Sequence, residues 1–167
     1  MPNLDSITGV LNGPSWDIIA LFVFLAAGVF YGLTTGRSRL VAVLFALYTG
    51  ALIFENLAFV ETFTRGKGLL EIFLWRVGIF AGLVLILSFF FSKFVFPYRP
   101  ESGRLWQILL LSFLEVGFFA SFAFRLLPSV ELFTFSPVVQ FLFVSPGAFF
   151  WWLVLPLPAL FLIMRRA

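Results

Sequence analysis

Long apolar runs alternate with short polar clusters along the whole chain, and the runs are too long for the strands or helices of a small soluble core. About 20 mostly apolar residues carry a helix across roughly 30 Å of hydrocarbon, so run length is the first test. The pattern predicts spans over Ile18–Thr35, Leu40–Phe54, Leu69–Phe91 and Leu105–Leu127. Glu55 and Asn56 close the second, Lys93 and the 97–100 proline stretch close the third, and Pro128 closes the fourth. A fifth run, Ala148–Met164, follows the break at Ser145-Pro146-Gly147 and carries Pro156 and Pro158, so a short, kinked span is expected there. Residues 128–147 mix Glu131, Thr134, Ser136, Pro137 and Gln140 with phenylalanines, which predicts an interfacial or re-entrant segment.

Composition narrows the class. Of 167 residues, 62% are hydrophobic and only 11% charged, against roughly 25% charged in soluble domains. A water-soluble fold of this length lacks the interior to hide that much apolar surface. Disorder and nucleic-acid binding are excluded on the same ground. With no cysteine and no histidine, a disulfide scaffold, thiol chemistry and the commonest general base and metal ligand are also excluded. No catalytic residue, cofactor or metal site is expected. The fold class predicted is an all-α integral membrane protein: a short tail over 1–16, a four-helix core over 17–127, the 128–147 segment, and a proline-kinked fifth span over 148–167.

Charge then predicts an orientation, because basic residues flanking spans stay on the cytoplasmic side. Arg37, Arg39, Lys93, Arg99, Arg104, Arg165 and Arg166 fall on one side of a five-span arrangement; Arg65, Lys67 and Arg125 fall on the other, and Arg76 lies within a span. The amino terminus is therefore expected outside and the carboxyl terminus in the cytoplasm. Trp16, Trp75, Trp151 and Trp152 fall near the expected outer ends and Trp106 at an inner one, where amphipathic rings prefer the headgroup level. The first 16 residues carry Asp5 but no basic residue, unlike a cleavable signal peptide, so the first helix is expected to be retained.

Within lipid, small residues four apart let helix backbones approach closely. Gly28, Gly32 and Gly36 form such a stripe, as do Ala42, Ala46 and Gly50, Gly78 and Gly82, and Gly117 with Ser121. Packing within the monomer is the ordinary use; an oligomer interface or a gating seam is the alternative. Arg76 and Glu115 are charges inside spans, each costly if left facing lipid, and are expected to point inward and pair. Such a pair would fix helix register, or serve a proton, ion or polar substrate. The 26 phenylalanines read as lipid-facing. Arg65-Gly66-Lys67-Gly68 reads as an ordinary basic turn, and no nucleotide-binding, zinc-protease or serine-hydrolase motif is present.

An aspartate opening an apolar helix (Trp16-Asp17-Ile18-Ile19), a glycine-spaced exit with a basic turn (Gly32-Leu33-Thr34-Thr35-Gly36-Arg37-Ser38-Arg39) and a second apolar helix together resemble the colicin V production protein (CvpA) family. The resemblance covers roughly residues 16 to 127 and rests on spacing. It implies a bacterial inner-membrane protein of similar length, linked to toxin export or envelope homeostasis. Where that family carries an Arg-Gly pair in its fourth span, this chain reads Glu115-Val116-Gly117. The proline-bearing end from Leu155 to Arg166 is similar to that of the rod-shape protein MreD family. The function expected is a non-enzymatic scaffold or accessory subunit, its partners the bilayer and other membrane proteins or further copies of itself. The alternatives are a small channel or transporter component using Arg76 and Glu115, and an MreD-like cell-shape subunit.

Overall fold

The structure, a computed structural model, describes residues 16–96, 105–127 and 135–165. Among them every regular element is helical. α1 (Trp16–Thr35) and α2 (Arg37–Glu55) meet at Gly36 alone; α3 (Ala58–Thr64) is short; α4 (Leu69–Phe94) and α5 (Leu105–Arg125) are long. α6 (Pro137–Val139) runs into a π-helical segment (Gln140–Val144), followed by α7 (Pro146–Val154) and α8 (Pro156–Arg165). α1, α2, α4 and α5 are each long and apolar enough to cross a membrane, and the broken pair Pro137–Val144 and Gly147–Ile163, bent by 59°, qualifies only if taken as one span. The amino-terminal tail, Arg99, Glu101, Arg104, Glu131, Thr134 and Arg166 lie outside the described residues.

Three local features set the chain's course. At the α1 to α2 turn, Gly36 adopts φ 80°, a left-handed conformation natural to glycine, while the Thr34 and Thr35 hydroxyls donate to the Tyr31 carbonyl as α1 ends. At Leu155 the helix is interrupted because Pro156 has no N–H to donate back into the preceding turn. One helix ends at Val154 and the next begins at Pro156, and the Tyr48 hydroxyl reaches across from α2 to donate to the Leu153 carbonyl beside the break. At the start of α6, well ahead of the bend, Pro137 sits at the first turn behind Ser136, whose side chain accepts from Val139 N.

Helix α5 is the hub. α1 runs antiparallel against it, α2 parallel, and α7 and α8 pass along it from Phe122 to Ile108, while α4 packs mainly on α2. In this bundle the helices meet through close side-chain packing. Its centre is aromatic: Phe80 of α4 lies 4.3 Å, centroid to centroid, from Phe122 of α5, and Phe54 of α2 meets both rings edge-on. Phe80, Phe118 and Phe122 are fully buried and so depart from the expectation that the phenylalanines face outward, which Phe22, Phe30 and Phe89 meet by being exposed. The outward faces remain apolar, with Phe22, Phe30, Leu85 and Ile86 exposed, which is compatible with helices that cross a membrane.

The glycine stripes divide by use. A Cβ on Gly28 would stand 2.6 Å from Val116 Cγ2, one on Gly32 2.6 Å from Ser112 Oγ, and one on Gly50 3.1 Å from Val84 Cγ2. Those glycines, with the buried Ala42 and Ala46, bring α1 and α2 onto their neighbours. Gly36 is corrected: nothing lies within 4 Å of its absent side chain, and its role is the turn. Gly78 and Gly82 of α4 also face open space. Their stripe points away from the rest of the described bundle.

Candidate functional site

The ends of α2 and α5 and the starts of α1 and α4 lie at the same end of the bundle, and most of the charge among the described residues collects there. Asp17 is buried at the start of α1; its Oδ1 accepts from Ile18 N at 3.0 Å and its Oδ2 from Ser136 N at 2.6 Å. A residue read in the sequence only as the acid opening a helix thus ties α1 to the segment leading into α6. Arg125 Nη2 meets Glu55 Oε1 at 3.4 Å, and its guanidinium lies 4.7 Å from the Phe149 ring centroid. Lys67 pairs with Glu71 at 3.5 Å and stands over the rings of Phe63 and Trp75. The basic turn is therefore packed onto α3 and α4.

Arg76 does not meet Glu115, and the expected intramembrane pair is corrected. Arg76 lines a groove of about 300 Å³ with Glu55, Glu61, Phe122 and Arg125, between α2, α3, α4 and the end of α5. It lies seven residues into α4, or about 10 Å below the helix start, whereas Glu115 stands ten residues from either end of α5. Distance along the helices and a different neighbour for α4 separate them: α4 leans on α2, and Arg76 lines the groove with Phe122, seven residues or about 10 Å along α5 from Glu115.

Glu115 sits in the bundle's middle, 7% exposed, and its Oε1 is buried without a hydrogen-bond partner. Ser112, one turn earlier, and Ser121 are fully buried with Oγ atoms likewise unpartnered. Three orphaned polar groups on one central helix are unusual, since buried polar atoms normally find partners and leaving one unpaired costs about 1–3 kcal/mol. Serine spacing alone does not announce them in the sequence; only Glu115 does.

Gly117 faces α7. The ring of Trp152 occupies the space a side chain would need, its Cζ3 and Cε3 standing where a Cβ would go. Trp152 Nε1 donates to the Leu142 carbonyl at 2.8 Å, and its ring stacks on Phe143 at 5.4 Å. One tryptophan thus fixes the π-helical segment against α7 and both against α5. It had been expected at an outer helix end; the structure buries it instead. Tyr48→Phe removes the hydroxyl that meets Leu153 and is expected to lower unfolding stability by about 1 kcal/mol, read from denaturant titration of the purified protein in detergent.

A second, mostly apolar cleft of about 310 Å³ opens between α1, α4, α5 and α6, lined by Phe24, Val77, Phe119, Phe124 and Val139 together with Asp17. Among the described residues no group of three or more acidic, histidine or cysteine side chains could hold a metal ion. No family model, curated protein or solved structure matches the chain.

Proposed function

We propose that this protein is a non-enzymatic subunit or scaffold of a membrane assembly, docking a partner transmembrane helix on α4. The observation that carries the reading is the division among glycine stripes: Gly28, Gly32, Gly50 and Gly117 have their space filled by neighbours, while Gly78 and Gly82 face nothing. A glycine pair four residues apart on an outward face permits close backbone approach, the main source of helix affinity in lipid. Leu74, Trp75, Leu85 and Phe89 are exposed on α4 around it and would flank the partner. Five spans with the amino terminus outside, placed by basic loops and tryptophans, would put Gly78 and Gly82 within the hydrocarbon. The CvpA resemblance supports a bacterial inner-membrane setting and a role in toxin export or envelope homeostasis; the MreD likeness points to a cell-shape complex instead.

Purification from native membranes in mild detergent tests this. The wild type is expected to retain a fixed partner, or a second copy of itself, in constant ratio. Gly82→Leu should lose it while folding normally, since no described atom lies near that position. A monodisperse, partnerless wild type would overturn the reading.

A second reading has its own observation. The unpartnered Glu115 carboxyl beside the unpartnered Ser112 hydroxyl supports a channel or transporter component that moves a proton or small cation. Liposome flux abolished by Glu115→Gln would favour it over the scaffold.

A further inference from the structure

We infer that the groove beside Arg76 binds the headgroup of an amine-bearing zwitterionic phospholipid, its phosphate on Arg76 and its ammonium on Glu61. Among the described charges at that end of the bundle, all but Arg65, Arg76 and Glu61 have partners, and Arg65 does not line the groove. Glu55 is taken by Arg125, Glu71 by Lys67, and Asp17 by the backbone of Ile18 and Ser136. Arg76 and Glu61 both line the groove, yet neither forms an ion pair with any described residue, nor with each other. An unmatched cation and an unmatched anion therefore share one opening of about 300 Å³, at the lower edge of the range ligand pockets occupy.

Chemistry selects the occupant. A guanidinium presents a planar fork that two phosphate oxygens match, and a carboxylate accepts from a primary ammonium. The half-buried position of Arg76, about 10 Å inside the start of α4, suits a side chain whose stem lies in hydrocarbon while its head reaches the phosphate layer. The paired Glu55 and Arg125 also line the opening, and Phe54, Leu57, Val60, Phe122 and Leu126 supply apolar wall beside the charges, as the boundary between a headgroup and its glycerol requires. A purely anionic headgroup would satisfy Arg76 but meet Glu61 as a like charge. A choline headgroup would satisfy the charge count but has no N–H to donate to Glu61. An ethanolamine headgroup satisfies both groups. The inference needs the membrane placement but not the docking of a partner on α4, whose Gly78 and Gly82 are not among the groove's lining residues.

Native mass spectrometry of the delipidated full-length protein in detergent, titrated with dioleoyl phosphatidylethanolamine, phosphatidylcholine or phosphatidylglycerol, tests it. One phosphatidylethanolamine is expected to be retained at least tenfold more strongly than either of the others. Arg76→Gln should abolish that preference and weaken all three lipids. Glu61→Gln should bring phosphatidylethanolamine down to the phosphatidylcholine level and raise phosphatidylglycerol. Glu61 is exposed on the short α3, so that variant folds even if Arg76→Gln does not, and Arg65→Gln, outside the groove, should bind as the wild type. Equal retention of phosphatidylglycerol by the wild type, or unchanged selectivity in Glu61→Gln, would overturn the inference. Displacement of the lipid by soluble glycerophosphoethanolamine at equal concentration would also overturn it, assigning the groove to a free phosphate ester.

Discussion

Replacing Glu115 by leucine is expected to raise the stability of the purified protein, by about 2 kcal/mol, in a denaturant titration followed by tryptophan fluorescence. Most substitutions in a packed core destabilise, so the sign is informative. The carboxyl has an Oε1 with no partner and lies one turn from Leu111 and Phe118, both fully buried, so a leucine of similar size would fill the space with apolar contacts. Glu115→Gln keeps a polar group in the same place and should recover less than half of the gain. A loss of stability in the leucine variant would mean that the carboxyl has a partner in the folded state, and the orphaned-group account would fail. Under the scaffold reading, the stabilised variant still holds its partner; under the transporter reading, it gains stability and loses flux. A residue kept at a cost to stability is what a functional site in a membrane core looks like.

Gly117→Val is expected to do the opposite, lowering stability by about 3 kcal/mol, with Gly117→Ala giving about half of that. Trp152 cannot swing aside cheaply, because its ring stacks on Phe143 and its N–H is held by the Leu142 carbonyl. A side chain at position 117 therefore pushes α7 and the π-helical segment away from α5 together. Pairing Gly117→Ala with Trp152→Leu should recover much of the loss, since the smaller side chain vacates the space the new methyl needs. If Gly117→Val unfolds at the wild-type denaturant concentration, α7 does not pack on α5 in this register.

The sequence makes the four long helices legible because run length is a strong signal and lipid imposes it. Which faces point inward is not legible. In a soluble helix the buried side is the apolar one, but α1 and α4 are apolar all round, so Phe22 and Phe80 look alike although one is 71% exposed and the other fully buried. The same ambiguity hid the burial of Trp152. Gly28, Gly32, Gly50 and Gly117 were readable as packing positions from spacing, but not which partner each would meet; Gly36, in the same stripe, does separate work because the chain reverses there. The pairing of Arg76 with Glu115 failed because a sequence gives depth along each helix but not which helices adjoin. Glu61, drawn into the groove by the short α3, has no signal in the sequence beyond its charge.

The docking role of α4 is open to one direct measurement, made simple by the absence of any native cysteine. Single cysteines at Gly78, Gly82 and, as a control, Phe22, which is exposed on α1, are introduced and oxidised in native membranes. The account predicts a discrete cross-linked species of fixed mass from positions 78 and 82 and none from 22. Equal, diffuse cross-linking from all three positions, or none from any, would contradict it.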